Sequence, residues 1–444
     1  MTTALENTPG APKEETTAGN YFVSNYPPFS FWQAEKVHDA FSALDRAPAP
    51  GTPLGVYLHI PFCRKRCHFC YFRVYTDKDS TQIKAYLDGA VRELELYARR
   101  RFVDGRKANF VYFGGGTPSY ISSDQLVSLT DRMKALIPWD EAEEVTFECE
   151  PGTLTEHKLQ IIKDVGVTRL SLGVEHFDDH ILEINGRAHL SKEIARAYDF
   201  ARKLNFAQIN IDLIAGMVEE TEEKWKETVA KALAMEPDSV TIYQMEVPYN
   251  TTIYKEMKAS GKLVAPVATW ETKRGWVNYA FSEFEKAGYT VASAYTVVKN
   301  KAKTKFVYRD RLWAGADLIG LGVASFGHVG GTHFQNLDRF EQYLEALNAG
   351  NLPINRALTP TNQERLIREM ILQMKLGSIS IDYFRKKFGP DITQEFPQPL
   401  KTLKDWGFLS IDGDRIKLNR DGLLQVDRLL HEFFLPQHRN ARYT

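Results

Sequence analysis

The sequence predicts an α/β fold, a partial (β/α)6 TIM-like barrel followed by a mostly helical, winged-helix-like C-terminal domain. Between residues 56 and 245, short β-branched and aromatic runs alternate with longer segments of helical periodicity. This alternation is typical of a parallel sheet built from right-handed βαβ units. Six units are fewer than the eight of a closed barrel. After about residue 296 the alternation stops, and helical patterns with one hairpin replace it.

Six segments have the length and composition of buried strands, and five amphipathic segments lie between them. The predicted strands are 56–60, 109–113, 144–149, 169–174, 209–214 and 239–245. The predicted helices are 81–100, 123–136, 156–165, 191–204 and 221–235. Ligands of such barrels bind at the carboxyl ends of the strands, so we expect the functional residues there.

The predicted domain boundaries fall at two changes of composition. Residues 1–50 form an N-terminal tail and extension, 51–295 the core barrel, and 296–444 a C-terminal substrate or lid domain. Residues 1–20 lack the basic start and apolar stretch of a secretory signal and are predicted to be a disordered tail. The proline-rich run 46–53 is a stiff linker. The last helices (361–374, 381–387 and 399–406) and a hairpin at 408–418 resemble a winged helix, whose mixed charge favours a packing or lid role over DNA binding.

The composition is that of a soluble globular protein, with 43% hydrophobic and 25% charged residues. A formal net charge of −1 gives no field that would attract nucleic acid. No apolar run reaches the length of a membrane span. Few cysteines, clustered as ligands, imply a reducing cytoplasm. We therefore predict a cytoplasmic protein without a nucleic-acid or membrane partner, and a monomer.

Cys63, Cys67 and Cys70 are the most specific feature of the chain, with the spacing C-x3-C-x2-C. Three thiolates on one short loop can hold three irons of a [4Fe–4S] cluster and leave the fourth iron open. A disulfide would leave one of the three cysteines unpaired. A zinc site remains an alternative, with His59 or His68 as a fourth ligand. The remaining cysteine, at position 149, is expected to be a small buried hydrophobe.

Chemically distinctive residues stand at the ends of the other predicted strands. Three glycines at 114–116 would bring backbone groups close to a ligand. Glu148 and Asp212 can accept hydrogen bonds from hydroxyl or ammonium groups, and Arg187 can bind a carboxylate with two parallel hydrogen bonds. Any one of these residues alone could be a solvated or capping group. Their recurrence on successive strand ends favours a ligand site.

These motifs identify a resemblance to the radical S-adenosylmethionine superfamily. The resemblance rests on Tyr57-Leu-His-Ile-Pro-Phe-Cys with its cysteine spacing, and on Gly-Gly-Gly-Thr-Pro after the second strand. Other runs resemble, more narrowly, oxygen-independent coproporphyrinogen III oxidase and its relatives, which include a haem chaperone and class C methyltransferases. These are Asn25-Tyr26-Pro27-Pro28, Arg169-Leu-Ser-Leu-Gly-Val, Asp212-Leu-Ile and Asp317-Leu-Ile-Gly-Leu-Gly322.

The resemblance implies two cofactors and a role for each site residue. One electron from the [4Fe–4S] cluster would cleave S-adenosylmethionine, and the resulting 5′-deoxyadenosyl radical would abstract a hydrogen atom. By the family's pattern Gly115, Gly116 and Thr117 contact the methionyl part, Glu148 and Asp212 the amino group or ribose, and Arg187 the carboxylate. Phe69 either packs against the adenine or only covers the cluster. Tyr57 and Glu175 are predicted to be the catalytic residues and to lie against S-adenosylmethionine.

The resemblance favours oxidative decarboxylation of coproporphyrinogen III, a step of porphyrin biosynthesis. One alternative is methyl transfer or carbon–carbon bond formation with a second S-adenosylmethionine, approached through Gly320 and Gly322. Another is haem delivery. The implied partners are a small-molecule substrate, expected to be a tetrapyrrole, and a reducing electron donor such as flavodoxin or ferredoxin.

Four departures from the oxidase and chaperone patterns bear on the substrate. Phe72 replaces a fourth cysteine, Glu175 replaces a glutamine, and the fifth strand continues as Ala215-Gly-Met-Val218. The stretch 308–313 lacks the histidine that heads the chaperone's haem motif, which leaves His328, His333 and His431 as other possible haem ligands.

The alternating lysines 299, 301, 303 and 305 would share one face of an extended segment. That face either meets substrate carboxylates or is a solvated edge.

Overall fold

Six parallel strands in sequence order form the centre of this computed structural model, which describes residues 15–19, 21–439 and 441. Each strand begins and ends within two residues of its predicted bounds, and the partial barrel is confirmed. The strands are β1 (Leu54–Ile60), β2 (Phe110–Gly115), β3 (Glu144–Cys149), β4 (Arg169–Glu175), β5 (Gln208–Ala215) and β6 (Ser239–Gln244). Their burial on both faces explains the apolar runs in the sequence.

Helices cover the outside of these strands, and most begin at a side-chain cap. Ser122 and Gln125 form a capping box, and Thr155 and Thr221 each accept a backbone N–H in the first turn. The short α5 was not predicted. The helices are α1 (Val37–Leu44), α2 (Ser80–Ala98), α3 (Ser123–Leu136), α4 (Glu156–Asp164), α5 (Asp179–Ile184), α6 (Ser191–Lys203) and α7 (Glu222–Ala234).

The sheet continues on both sides of the six central strands. Its order is β12-β11-β10-β9-β1-β2-β3-β4-β5-β6-β8-β7, with β9 parallel to β1. The expected boundary after residue 295 therefore lies inside the sheet, because four further strands join its other edge. The added strands are β7 (Thr290–Val291), β8 (Thr296–Val298), β9 (Asp317–Leu321), β10 (Phe326–Val329), β11 (Thr332–Asn336) and β12 (Ile354–Leu358).

The remaining elements are four helices on the sheet and a C-terminal unit with its own apolar core. Met370, Phe384, Leu403 and Ile416 belong to that separate core. A three-stranded sheet, β13-β15-β14, gives the unit its winged-helix form. The four helices are α8 (Thr252–Ala259), α9 (Trp270–Lys286), α10 (Val307–Trp313) and α11 (Phe340–Asn348). The unit comprises α12 (Asn362–Met374), β13 (Ser378–Ser380), α13 (Ile381–Phe388), α14 (Ile392–Glu395), α15 (Pro397–Asp405), β14 (Leu409–Asp412), β15 (Arg415–Leu418), α16 (Arg420–Leu424) and α17 (Val426–Leu430).

An N-terminal segment, residues 15–19 and 21–28, connects the barrel with this unit. The Lys273 ammonium group, fully buried, donates to the Thr16 hydroxyl at 2.7 Å. The Val23 N–H donates to Asp427, and the Val23 carbonyl accepts from the buried Lys375. The predicted disordered tail is therefore wrong for residues 15–19, which bridge to the chain near Val264. The rest of that prediction, residues 1–14 and 20, lies outside the described residues.

The lysine-rich segment does not form the extended face that its alternation predicted. Strand β8 ends at Val298, and residues 301–303 form a turn. All four lysines (299, 301, 303 and 305) are exposed, and Lys299 pairs with Glu236 at 2.8 Å. The segment is a solvated turn because polar residues and Asn300 bonds to the backbone stop the strand. In the described part of the chain, none of the helices has the length and apolarity needed to span a bilayer.

We predict that Gly320→Ala destabilises the protein, whereas Gly275→Ala does not. A Cβ on Gly320 would lie 2.0 Å from the Phe326 carbonyl oxygen, and backbone would have to move. Overpacking of this kind costs about 1–3 kcal/mol. A Cβ on Gly275, in the exposed middle of α9, meets nothing within 4 Å. Helix propensity there should add up to about 1 kcal/mol. Thermal unfolding followed by near-ultraviolet circular dichroism measures both, and an unchanged midpoint for Gly320→Ala would contradict the packing argument.

Candidate active site

The cysteine loop follows β1 and is held by backbone hydrogen bonds. The Cys63 N–H donates to the Tyr75 carbonyl at 3.0 Å, and the Tyr75 N–H donates to Pro61 at 2.7 Å. In the middle of the loop, the His68 N–H donates to the Asn185 carbonyl at 3.0 Å. The loop is therefore fixed at its base and at its centre, which places the three thiols at the carboxyl edge of the sheet.

Two glycines at the end of β2 let this loop approach the strand. A Cβ on Gly116 would lie 2.9 Å from the Cys63 sulfur and from the Pro61 backbone. A Cβ on Gly115 would lie 2.6 Å from the His59 ring, and its φ of +120° also favours glycine. The glycine run is therefore a requirement of the cysteine loop's position as well as a means of access to a ligand.

The thiols lie beside groups that can stabilise negative sulfur. The Thr117 hydroxyl donates to the Cys63 sulfur at 3.3 Å, and the Arg187 guanidinium donates to the Cys67 sulfur at 3.2 Å. Burial raises the pKa of Cys63 to about 11 and that of Cys70 to about 12. These thiols therefore ionise when a metal takes the place of their protons, which is the usual coupling of metal binding to proton release.

Carboxylates stand at the ends of neighbouring strands. Glu148, on β3, accepts from the Tyr112 hydroxyl at 2.6 Å and from the Gly115 N–H at 3.1 Å. Asp212, on β5, accepts from Ser171 at 3.1 Å and Asn210 at 2.9 Å. Burial raises the pKa of both carboxyl groups, that of Glu148 to about 7. Burial destabilises the ionised form of these carboxyl groups unless a cation binds beside them.

Glu175 and Arg187 form a pair beside these carboxylates. The Glu175 carboxylate lies 3.6 Å from the Arg187 guanidinium, which also donates to the Gly173 carbonyl at 2.7 Å. Glu175 has a positive φ of 64°, at a register shift between β4 and β5. This backbone turns its side chain toward the site at some conformational cost. Burial raises the pKa of Glu175 to about 7, although Arg187 opposes the shift.

One cavity of about 530 Å³ joins the three cysteines to the strand ends. Its lining contains every predicted site residue except Tyr57: Cys63, Cys67, Phe69, Cys70, Gly115, Gly116, Thr117, Glu148, Glu175, Arg187 and Asp212. The Phe69 ring also packs against Ile214 and Met245, so it forms an apolar wall beside the cysteines.

Tyr57 is the predicted site residue that the cavity lining omits. Its hydroxyl group bonds to the His59 ring at 3.1 Å, and its ring stacks on Tyr112 at 5.9 Å. Tyr112 in turn donates to Glu148. Tyr57 therefore supports the site from one layer behind, because strand alternation places it with the aromatic residues under β2.

Sequence reasoning missed a second wall of the cavity, contributed by residues far away in the chain. This wall consists of Tyr21 and Phe22, Arg274 on α9 and the segment 423–428. Of the three histidines considered as haem ligands, only His431 lines this cavity. His328 and His333 lie on β10 and β11 and face each other with their Nδ1 atoms 3.0 Å apart. No local pattern marks these residues, because only tertiary contacts bring them to the site.

The structure gives no support to a zinc site, or to the approach of a second S-adenosylmethionine through Gly320 and Gly322. Both ring nitrogens of His59 are engaged, with the Tyr57 hydroxyl and the Arg73 carbonyl. Within the ranges described, three or more potential ligands nowhere gather closely enough for a single metal ion. Gly320 and Gly322 are accounted for by packing, since a Cβ on Gly322 would lie 2.3 Å from the Tyr86 hydroxyl.

The sequence model of the radical SAM superfamily matches residues 57–232, and that of the HemN C-terminal domain matches residues 361–424. The haem chaperone HemW of Bacillus subtilis is 29% identical over 390 residues, 85% of this chain and 98% of the relative. The oxygen-independent coproporphyrinogen III oxidase of Helicobacter pylori is 28% identical over 417 residues, 90% and 89% of the two chains. The structure of the Escherichia coli coproporphyrinogen III oxidase HemN, a radical SAM enzyme, superposes with a TM-score of 0.80 at 21% identity, covering 94% and 99%.

The residues of the site fit a [4Fe–4S] cluster and S-adenosylmethionine, the cofactors of this superfamily. Three thiols from one loop open to the cavity, and donors from Thr117 and Arg187 point at two of the sulfurs. Glu148, Glu175 and Asp212 outnumber the two arginines near them, Arg187 and the buried Arg169. This excess of negative charge suits a ligand with positively charged ammonium and sulfonium groups. The glycines leave room where a side chain would collide with the cysteine loop.

We predict that Cys63→Ala abolishes cluster binding, whereas Cys149→Ser retains it. Cys149 is buried in the apolar core at the end of β3, and its thiol donates to the Phe147 carbonyl at 3.9 Å. Anaerobic reconstitution followed by iron and sulfide analysis measures the result. A full cluster in Cys63→Ala, or loss of the cluster in Cys149→Ser, would show that the three-ligand assignment is wrong.

Proposed function

Because this chain belongs to the radical S-adenosylmethionine superfamily, we propose that it is an enzyme that oxidatively decarboxylates a carboxylate-bearing tetrapyrrole, with coproporphyrinogen III as the substrate. The observation that carries the proposal is the single cavity that runs from the cysteines across the strand-end carboxylates to an aromatic outer chamber. Similarity along most of the chain to an oxygen-independent coproporphyrinogen III oxidase adds support.

The outer part of the cavity has the chemistry that such a substrate requires. Tyr243, Tyr295 and Trp270 contribute aromatic surface, which suits a large, partly apolar macrocycle. Arg274 and Arg428 also line this part, and guanidinium groups bind carboxylates with favourable geometry. We infer that the propionate side chains contact these arginines, rather than the lysine turn at residues 299–305.

The residues of the chain orient both reactants. We propose that Glu148 and Asp212 hold the amino group or ribose of S-adenosylmethionine, Arg187 its carboxylate, and Phe69 its adenine. Gly115, Gly116 and Thr117 would contact the methionyl part, with Glu175 at the reacting centre and Tyr57 behind it. The bound cofactors supply a 5′-deoxyadenosyl radical that takes one hydrogen atom. Loss of that hydrogen atom and of one electron to an acceptor converts the propionate into a vinyl group and carbon dioxide.

Haem binding is a second candidate function. The haem chaperone relative supports it, as does His431, which lines the cavity beside Phe434 with 4.6 Å between the rings. Titration with haem measures it directly. A shift of the Soret band that disappears in His431→Ala would favour delivery of haem over decarboxylation, and no shift would remove this candidate.

The remaining partners stay predictions. A low-potential donor such as flavodoxin or ferredoxin would reduce the cluster, and the protein would act as a cytoplasmic monomer. Methyl transfer with a second S-adenosylmethionine has lost the support of Gly320 and Gly322. It stays as an outcome of the product analysis below.

We predict that S-adenosylmethionine binds more tightly as the pH rises through about 7. Burial raises the pKa of Glu148 and of Glu175 to about 7, so these groups are largely protonated at pH 6 and ionised at pH 8. The cationic cofactor should bind the ionised form, with a gain of roughly tenfold between these pH values.

Anaerobic calorimetry of the cluster-loaded protein measures this effect. Glu148→Gln should weaken binding at pH 8 and flatten the pH profile. Glu256→Gln, on an exposed position of α8, is the matched control and should behave as the unmodified protein. A flat profile for the unmodified protein would exclude the assigned role of these carboxylates.

Product analysis tests the proposed reaction. Anaerobically reconstituted and reduced protein, given S-adenosylmethionine and coproporphyrinogen III, should release 5′-deoxyadenosine and a porphyrinogen that has lost carbon dioxide, as detected by mass spectrometry. If 5′-deoxyadenosine forms while the porphyrinogen is unchanged, the proposed substrate is wrong. S-adenosylhomocysteine in that sample would identify methyl transfer instead.

A further inference from the structure

A second cavity, of about 580 Å³, lies at the opposite end of β1 from the cysteines. Its lining includes residues 49–53, which lead into β1, and Asp317, which begins β9. Strand β1 has seven residues, so the two cavities are separated by about 20 Å of strand. The C-terminal unit closes the second cavity through α12 and α13. The proposed function makes no use of this cavity.

Cations dominate the lining of this second cavity. Two lining residues carry a carboxylate, Asp317 and Glu369. Five lining residues are cationic: Arg46, Arg311, Arg365, Arg368 and Lys387. Both carboxylates already have cationic partners, since Arg106 lies 3.1 Å from Asp317 and Lys387 lies 2.8 Å from Glu369. Arg106 and Lys387 therefore neutralise the two acidic groups of the lining, and these groups do not balance the charge of the lining arginines.

Three of the arginines lack a carboxylate partner. Arg311 binds Glu143 with two contacts of 2.7 Å. Within the described residues, no carboxylate forms an ion pair with Arg46, Arg365 or Arg368. Arg368 is only 6% exposed, and its hydrogen-bond partners are neutral: Asn25 at 2.6 Å and the Leu312 carbonyl at 3.3 Å. A buried charge without a counterion is costly, so this arrangement favours an anion.

The positions of the arginines also favour a bound anion. Arg365 and Arg368 are three residues apart on α12 and therefore share one helix face. Like charges placed so closely repel each other. Burial lowers the pKa of Arg368 to about 10, the neighbouring Glu369 carboxylate opposes this decrease, and the charge of Arg365 adds to it. His328, also in the lining, has its pKa lowered by burial, by His333 and then by both arginines. All three groups experience a positive potential that a bound anion would offset.

We propose that this second cavity binds a compact multivalent oxyanion, held by the guanidinium groups of Arg365 and Arg368, with Arg46 at the rim. Guanidinium groups match the paired oxygens of phosphates and carboxylates. The volume falls within the range of small-molecule sites. Because α12 belongs to the C-terminal unit and Arg46 begins the linker that leads into β1, the anion connects the unit with the linker and stabilises their contact.

Calorimetric titration with pyrophosphate, at constant ionic strength and with saturating S-adenosylmethionine, tests the site on the cluster-loaded protein. Binding is expected, with a rise in the thermal unfolding midpoint. Arg365→Gln should weaken it roughly tenfold or more, because it removes a charge-assisted contact. Among the described residues the Arg365 side chain forms no hydrogen bond that the substitution would remove, so this variant should fold. Lys404→Gln, on an exposed position of α15, is the matched control and should bind as the unmodified protein does.

Citrate in place of pyrophosphate distinguishes the two sources of oxyanion. Tighter binding of pyrophosphate would identify a phosphate ester as the natural ligand, and tighter binding of citrate a polycarboxylate. The proposal is overturned if neither anion binds, or if Arg365→Gln and Lys404→Gln bind as tightly as the unmodified protein. Neither outcome bears on the decarboxylation of coproporphyrinogen III, because the two sites lie at opposite ends of β1.

Discussion

The close approach of the cysteine loop to the end of β2 is the constraint on which the site depends. Cys63 can lie over the sheet only because Gly116 has no side chain there, where a Cβ would be 2.9 Å from its sulfur. The same loop is tied to Tyr75 and Asn185 by backbone hydrogen bonds. A shift at Gly116 would therefore move all three thiols relative to the carboxylates on β3, β4 and β5. The geometry of the site is set by backbone contacts, and the side chains add charge to it.

The two ends of β1 carry opposite imbalances of charge. At its carboxyl end, Glu148, Glu175 and Asp212 outnumber Arg187 and Arg169, which suits a cationic ligand. At its amino end, Arg365 and Arg368 form no ion pair with a carboxylate, which suits an anion. The formal net charge of −1, a sum over the whole chain, does not reveal this separation. Burial makes each imbalance significant, since charges away from water are screened less.

The sequence predicted the elements whose patterns are local. The six strands and the helices between them follow from the alternation of strand and helix periodicity, and the structure confirms them. The strand-end residues were found because parallel strands bring their carboxyl ends to one edge. Strands β9–β12, the ordered segment near Thr16 and the wall at 423–428 were not found, since they depend on pairings between distant parts of the chain. The role of Tyr57 stays a prediction, because alternation gives the face of a strand but not how close a side chain comes to the cavity, whose lining omits Tyr57.

The N-terminal segment has a consequence for the biosynthesis of the protein. Val23 and Asp427, whose hydrogen bond closes the wall of the cavity, are 404 residues apart in the chain. A nascent chain emerges at roughly 5–20 residues per second, so the strands and cysteine loop are available for tens of seconds before Asp427 leaves the ribosome. During that interval the thiols have no second wall over them. Delivery of iron and sulfide can therefore precede closure of the cavity, in the order that a buried cofactor requires.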